Sequence, residues 1–114
     1  MIDINAEVEK SLLKTGLRVY YVHPDKDAEL PCVSFYMLTE NGAFSYDNSE
    51  AIQRGTVRVD MWANNPKECG DMFKIIYDTL TADGWVREMS RDIPDSDCFH
   101  KTSSFIKDFI KQEE

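Results

Sequence analysis

The sequence predicts an α+β fold in which two helices pack on one face of a largely antiparallel sheet of about five strands. Three observations carry this. Two stretches, one opening near Asp3 and one near Asn65, repeat apolar residues at helical spacing. Arg54 to Ala63 alternates apolar and polar residues as a half-buried strand does. The segments follow one another as helix, strand, strand, strand, helix, strand, strand, and no repeat or low-complexity tract interrupts them.

The first helix places Ile4, Val8 and Leu12 on one stripe, joined by Leu13, and stops at Thr15-Gly16. Leu17 to His23 carries Val19, Tyr20, Tyr21 and Val22, residues that favour a pleated backbone, and His23-Pro24-Asp25 breaks it. Pro31 stands where a strand tolerates proline, at its entry. From Cys32 to Thr39 both alternating faces are fairly apolar, which predicts a strand through the middle of the sheet. Glu40 to Gln53 is the longest irregular stretch, and its Asn41-Gly42 pair favours a tight turn. Phe44 and Tyr46 in this stretch, beside Asp47, either fold back on the sheet from a hairpin tip or form a partner-binding arm.

In the third strand Val57, Val59 and Met61 face one way and Thr56, Arg58, Asp60 and Trp62 the other, so one side is expected to be wet. Asn65-Pro66-Lys67-Glu68 combines a cap, a proline at the first helical position and a glutamate three residues after the cap, the strongest local signal in the chain. The helix it opens aligns Cys69, Met72, Phe73, Ile76 and Leu80, and Asp83-Gly84 ends it. Trp85 to Asp92 is extended, Ile93 to Asp97 is an acidic turn, and Cys98 to Ile110 fits a strand better than a helix. Residues 1–114 are expected to form a single α+β domain with residues 110–114 frayed.

The formal net charge of −8 disfavours a phosphate backbone or an anionic membrane as partner, and the longest uncharged apolar run is far too short to span a bilayer. Cys32, Cys69 and Cys98 form no CxxC pair and read as reduced core residues of a cytosolic protein. No Gly-x-Ser-x-Gly elbow and no clustered glycines support nucleophilic catalysis or a phosphate cradle. Asp95, Asp97, Cys98 and His100 form a run that could contribute metal ligands, but it reads first as an acidic turn entering a strand. Asp60 and Asp92 could meet across the sheet as a carboxylate pair, although on the face Asp60 shares with Arg58 and Trp62 cross-strand pairing with a basic residue is the commoner use. No catalytic, cofactor or metal residue is therefore assigned. Trp62 and Trp85 read as packing anchors, and an exposed tryptophan would mark an interface.

The first helix ending at Leu13, the strand Pro31-Cys32-Val33-Ser34-Phe35-Tyr36 and the segment Arg54-Gly55-Thr56-Val57-Arg58-Val59-Asp60-Met61-Trp62-Ala63, followed by the second helix and the Trp85 strand, give the chain a recognisable succession. It resembles the tail terminator, or tail completion, proteins of long-tailed bacteriophages and prophages, small head-tail joining components. The resemblance implies a protein without enzymatic activity that forms a ring, commonly of six subunits. Such a ring caps the finished tail tube and presents a surface to the head connector, first in the host cytoplasm and then in the virion neck. No cofactor is expected; sequence-specific nucleic-acid binding and a membrane are set aside on the charge and apolar-run grounds above, and in a ring the acidic surplus could line a channel through which DNA slides without sticking. No functional residue of the family transfers to a numbered position. The candidate interface is Phe44, Tyr46, Asp47, Arg58, Asp60 and Trp62. The competing reading is a small acidic module that stays monomeric and recognises a basic protein or peptide.

Overall fold

The computed structural model of the chain describes residues 2–42 and 52–110. Its elements are α1 (Ile4–Leu13), β1 (Arg18–Tyr21), β2 (Cys32–Gly42), β3 (Ile52–Ala63), α2 (Pro66–Ala82), β4 (Val86–Ile93) and β5 (Phe99–Ile110). The strands form one sheet in the order β1-β2-β3-β5-β4, antiparallel except where β1 runs parallel to β2. The fold is thus α+β, with both helices packed against the same face of a mostly antiparallel sheet.

Local chemistry sets the helix ends. Asp3 caps α1, its Oδ1 accepting the Ala6 amide at 3.1 Å, and Gly16 takes the positive φ of 81° that the exit requires. Asn65 Oδ1 accepts the Glu68 amide at 2.9 Å, and Pro66 occupies the start of α2, where no amide is needed. Glu68 does not return to the amide of the cap, as the spacing suggested. Its Oε1 reaches one residue further, accepting the Asn64 amide at 2.8 Å and Asn64 Nδ2 at 3.0 Å, which ties the end of β3 to the start of α2. At the other end no cation stands in the last turn of α2 itself. Lys107 from β5 supplies one, donating from Nζ to the Asp83 carbonyl at 2.6 Å, where the helix dipole favours positive charge.

The core lies between the helices and one face of the sheet. Ile4, Val8 and Leu12 of α1 and Met72, Ile76 and Leu80 of α2 meet Val33 and Phe35 of β2, Val57, Val59 and Met61 of β3, and Phe105 of β5. Each fully buried aliphatic or aromatic side chain contributes about 1.5–3 kcal/mol relative to exposure. Gly55 lets α1 approach β3: a Cβ there would lie 2.7 Å from Ile4 Cγ2. Ser11 and Lys14 at the end of α1 both reach the Asp83 carboxylate, at 2.5 Å from Ser11 Oγ and at 2.9 Å and 3.0 Å from Lys14 Nζ, so the two helices are joined at their C-termini.

Several expectations need correction. Asn41-Gly42 is not a turn. Both residues belong to β2, opposite Arg54 and Gln53; of the irregular stretch expected over Glu40 to Gln53, Glu40 to Gly42, Ile52 and Gln53 lie in strands, and residues 43–51 lie outside the described residues. Gln53, expected in that loop, is buried and exchanges two hydrogen bonds with the backbone of Ile2. Ile110, expected in the frayed end, pairs with Ile52, while residues 111–114 lie outside the described residues. β2 is interior, but the centre of the sheet is β3. The β1–β2 connection opens with an amide bond from Val22 to the Phe35 carbonyl and a tight turn in which the His23 amide reaches the Tyr21 carbonyl at 3.0 Å.

Candidate functional site

The register of the three central strands builds rows on the face turned away from the helices. Tyr36, Arg58 and Ser104 form one row, Ser34, Asp60 and Thr102 the next, and Cys32, Trp62 and His100 the third. They face this way because their neighbours Phe35, Val59, Met61 and Phe105 alternate into the core. No helix of the described residues lies over these rows. The three candidate residues of β3, Arg58, Asp60 and Trp62, therefore share one surface. Phe44, Tyr46 and Asp47 lie outside the described residues.

This side of β3 is not wet as the alternation implied. Asp60 is 2% exposed, and Ser34, Thr102 and Ser104 are also buried. Large side chains on neighbouring rows close over the polar ones. Asp60 accepts three hydrogen bonds from Arg58, two from Nε at 3.0 Å and 3.2 Å and one from Nη2 at 3.1 Å. His100, with its proton on Nε2, donates to Asp60 Oδ1 at 2.8 Å. Arg58 Nη1 also donates to the Tyr36 hydroxyl at 3.3 Å, and its guanidinium lies 5.8 Å from the centre of the Tyr36 ring. Trp62 stacks on His100 with ring centres 3.7 Å apart and donates from Nε1 to Ser34 Oγ at 3.1 Å. The hydrogen bond from Arg58 to Asp60 is the main cause that raises the arginine above its ordinary pKa. A buried carboxylate held by a guanidinium and an imidazole is satisfied in full, and its partners are thereby fixed in place.

Asp60 and Asp92 do not meet. Asp92 pairs with Lys101, whose neighbour on β3 is Met61, so it belongs to the helix side of the sheet. The Asp95 to His100 run instead borders a cavity of about 780 Å³ between the start of α2 and the β4–β5 turn, where Cys69, Asp92, Asp95, Asp97, Cys98 and His100 are among the lining residues. Asp95 Oδ1 is engaged by the Asp97 amide at 2.8 Å, and His100 is turned to Asp60. Among the described residues no three His, Cys, Asp or Glu side chains are grouped to hold a metal ion. Burial, then the carboxylates of Asp95 and Asp97, push the Cys98 thiol up, and burial pushes Cys32 up to about 11. These are the directions opposite to those that make a thiolate nucleophile.

The sequence pattern placed Arg58, Asp60 and Trp62 on a common face but missed His100 as their partner. Its alternation with Thr102 and Ser104 was readable; that β5, rather than β4, lies beside β3 was not. The rest of the uncovered face carries Tyr20 on β1, Val86, Met89 and Arg91 on β4, and Ile106 and Ile110 on β5, with Val86 and Ile110 well exposed. No helix among the described residues is long and apolar enough to cross a membrane. Compared with models of known protein families and with curated protein sequences, the chain matches none.

Proposed function

We propose that this chain is a non-enzymatic assembly subunit of a long-tailed phage or prophage. In this reading copies of it close into a ring that caps the tail tube and joins it to the head connector, in the host cytoplasm during assembly and then in the virion neck. The observation that carries the reading is the uncovered sheet face. It presents Tyr36, Arg58 and Met89 along one row, with Ser104 between the last two, and Trp62 two rows away, residue types that anchor protein interfaces, while its buried polar groups satisfy one another and leave no reactive group poised. The succession of elements, which resembles that of tail terminator proteins, supports the same reading, and the raised thiols agree with a chain that does no chemistry.

The test is co-sedimentation with tubes assembled from the tail tube protein of the same genome, followed by electron microscopy of the tube ends. Density capping one end is the expected result; tubes that sediment without the chain at every concentration would overturn the reading. The second reading, a monomeric module for basic peptides, is favoured by one observation, the carboxylates of Asp92, Asp95 and Asp97 beside the cavity. It would show as salt-sensitive binding of an oligolysine peptide that is lost in an Asp95→Asn, Asp97→Asn variant.

A further inference from the structure

We infer that the outer edge of β4 pairs antiparallel with the same edge of a second copy, about a two-fold axis at Ser90. β4 ends the sheet, and no strand among the described residues pairs with its outer side, so the outward backbone groups there meet only water. The strand is also bare on both faces. Ser90 and Ile93 are half-buried and the other residues are exposed, Val86 by 62% and Met89 by 43%.

The order of charges along the strand selects the occupant. β4 reads Val-Arg-Glu-Met-Ser-Arg-Asp-Ile. Set against a reversed copy of itself, Val86 meets Ile93, Arg87 meets Asp92 and Glu88 meets Arg91, and the two-fold axis repeats each pair. Opposite charges therefore meet along the strand, with an apolar pair at either end. Registers one residue away oppose Arg87 to Arg91 or Glu88 to Asp92, like charge to like. Charges that only blunt an edge would repel a second copy; these match it. Within one subunit they remain available: Arg87 and Arg91 have no ion pair among the described residues, and Asp92, 87% exposed, lies 3.8 Å from Lys101 Nζ. The Arg87 guanidinium lies 5.8 Å from the centres of the Phe73 and Tyr77 rings and stays exposed.

A bulge makes the faces agree. β4 slips by one residue against β5 between Arg87 and Met89, and Glu88 Oε1 accepts the Ser104 hydroxyl at 3.1 Å, so Glu88 and Met89 both stand on the side of Ser104. Val86, Glu88, Met89, Arg91 and Ile93 therefore share the uncovered face, and Arg87, Ser90 and Asp92 the helical side. In a strand without the bulge, positions 86 and 93 would lie on opposite faces, as would 87 and 92, and the charges could not meet. With it, Ser90 stands opposite Ser90 of the second copy, and every matched pair shares a face. A two-fold contact closes on itself, so it makes a pair and not a ring. It is independent of the tube-capping reading, which tube binding decides.

The experiment is sedimentation velocity across a concentration series on the wild-type chain, on Arg91→Glu, on Glu88→Arg, on the double variant and on an equal mixture of the two single variants. Circular dichroism verifies that each is folded. The wild type is expected to form dimers. Each single variant sets like charges opposite one another on both sides of the axis, and its dimerisation should weaken by at least about tenfold. The double variant should recover most of that loss, because the charges are exchanged, and the mixture should form heterodimers in which opposite charges face again. A wild type that stays monomeric at every concentration would overturn the inference. So would dimers that neither single variant weakens, or a mixture that associates no better than its components. A larger oligomer insensitive to these charges would overturn it as well, and would leave the ring reading standing on another surface.

Discussion

Asp60 concentrates the polar chemistry of the uncovered face in one side chain, because Arg58 and His100 both depend on it. Asp60→Ala leaves the buried imidazole and the partly buried guanidinium without their acceptor. The expected loss is about 3 kcal/mol, the lower end of the range for a broken buried pair since Arg58 keeps some contact with water, and urea denaturation would measure it. Val22 is a different kind of residue-scale feature: a β-branched side chain at φ 74°, at the centre of a three-residue turn that favours glycine. Val22→Gly should remove strain comparable to the entropy it adds, so its midpoint of thermal unfolding should equal or exceed that of the wild type; a fall of several degrees would contradict the strain. Of these two features, a basic partner for Asp60 was legible in the sequence, but it was expected across the strands, where His100 stands, whereas the arginine partner Arg58 comes from the same strand. The strain at Val22 was not, since nothing local marks a valine for positive φ.

Elements are joined in this fold by single contacts that can be tested singly. Gly55 is the point where β3 admits α1, and Ile4, itself 1% exposed, has nowhere to move. Gly55→Ala is expected to cost about 1–3 kcal/mol, and the double variant Gly55→Ala, Ile4→Val should recover part of it, a coupling that a mere change in strand propensity would not produce. The two helices meet at Asp83. The hydroxyl of Ser11, then the ammonium of Lys14, hold its carboxyl below the ordinary value of 3.8. A carboxyl depressed in the folded state contributes stability that is complete above its unfolded pKa and is lost as the pH falls through the folded value. Asp83→Asn should therefore lower stability near pH 7 and narrow the difference between about pH 7 and about pH 3, read from urea midpoints at the two pH values. The helices themselves were the most legible elements: Asn65-Pro66 and Asp83-Gly84 bracket α2 within a residue of its observed ends, because caps are local chemistry. The Asn41-Gly42 pair misled for the opposite reason. The turn preference of those two residues is overridden by a ladder that continues to Gln53, held in place by the contacts of Gln53 with Ile2.

At the scale of the molecule, the arrangement is asymmetric. One face of the sheet is covered by two helices, and the other is closed, among the described residues, by its own side chains and rimmed by Val86, Met89 and Ile110, each exposed by 43% or more. The layer arrangement followed from the order of periods along the chain, as a helix period and a strand period each leave one apolar side to bury. Strand order did not follow, nor did the parallel pairing of β1 with β2, because both are decided by contacts between segments distant in sequence. The consequence is that Arg58, Asp60 and Trp62 could be placed on one face from the sequence, while the neighbours that make that face a surface, His100 and Thr102 from β5 and Met89 and Arg91 from β4, could not. Self-association is the property on which the proposed assembly role depends most directly. The decisive measurement is the mass of the purified chain by light scattering across concentration, alone and with tail tube protein. A closed oligomer of defined mass, present alone or formed on addition of tube protein, is the expected result; a monomer at every concentration that ignores tube protein would contradict the assembly role.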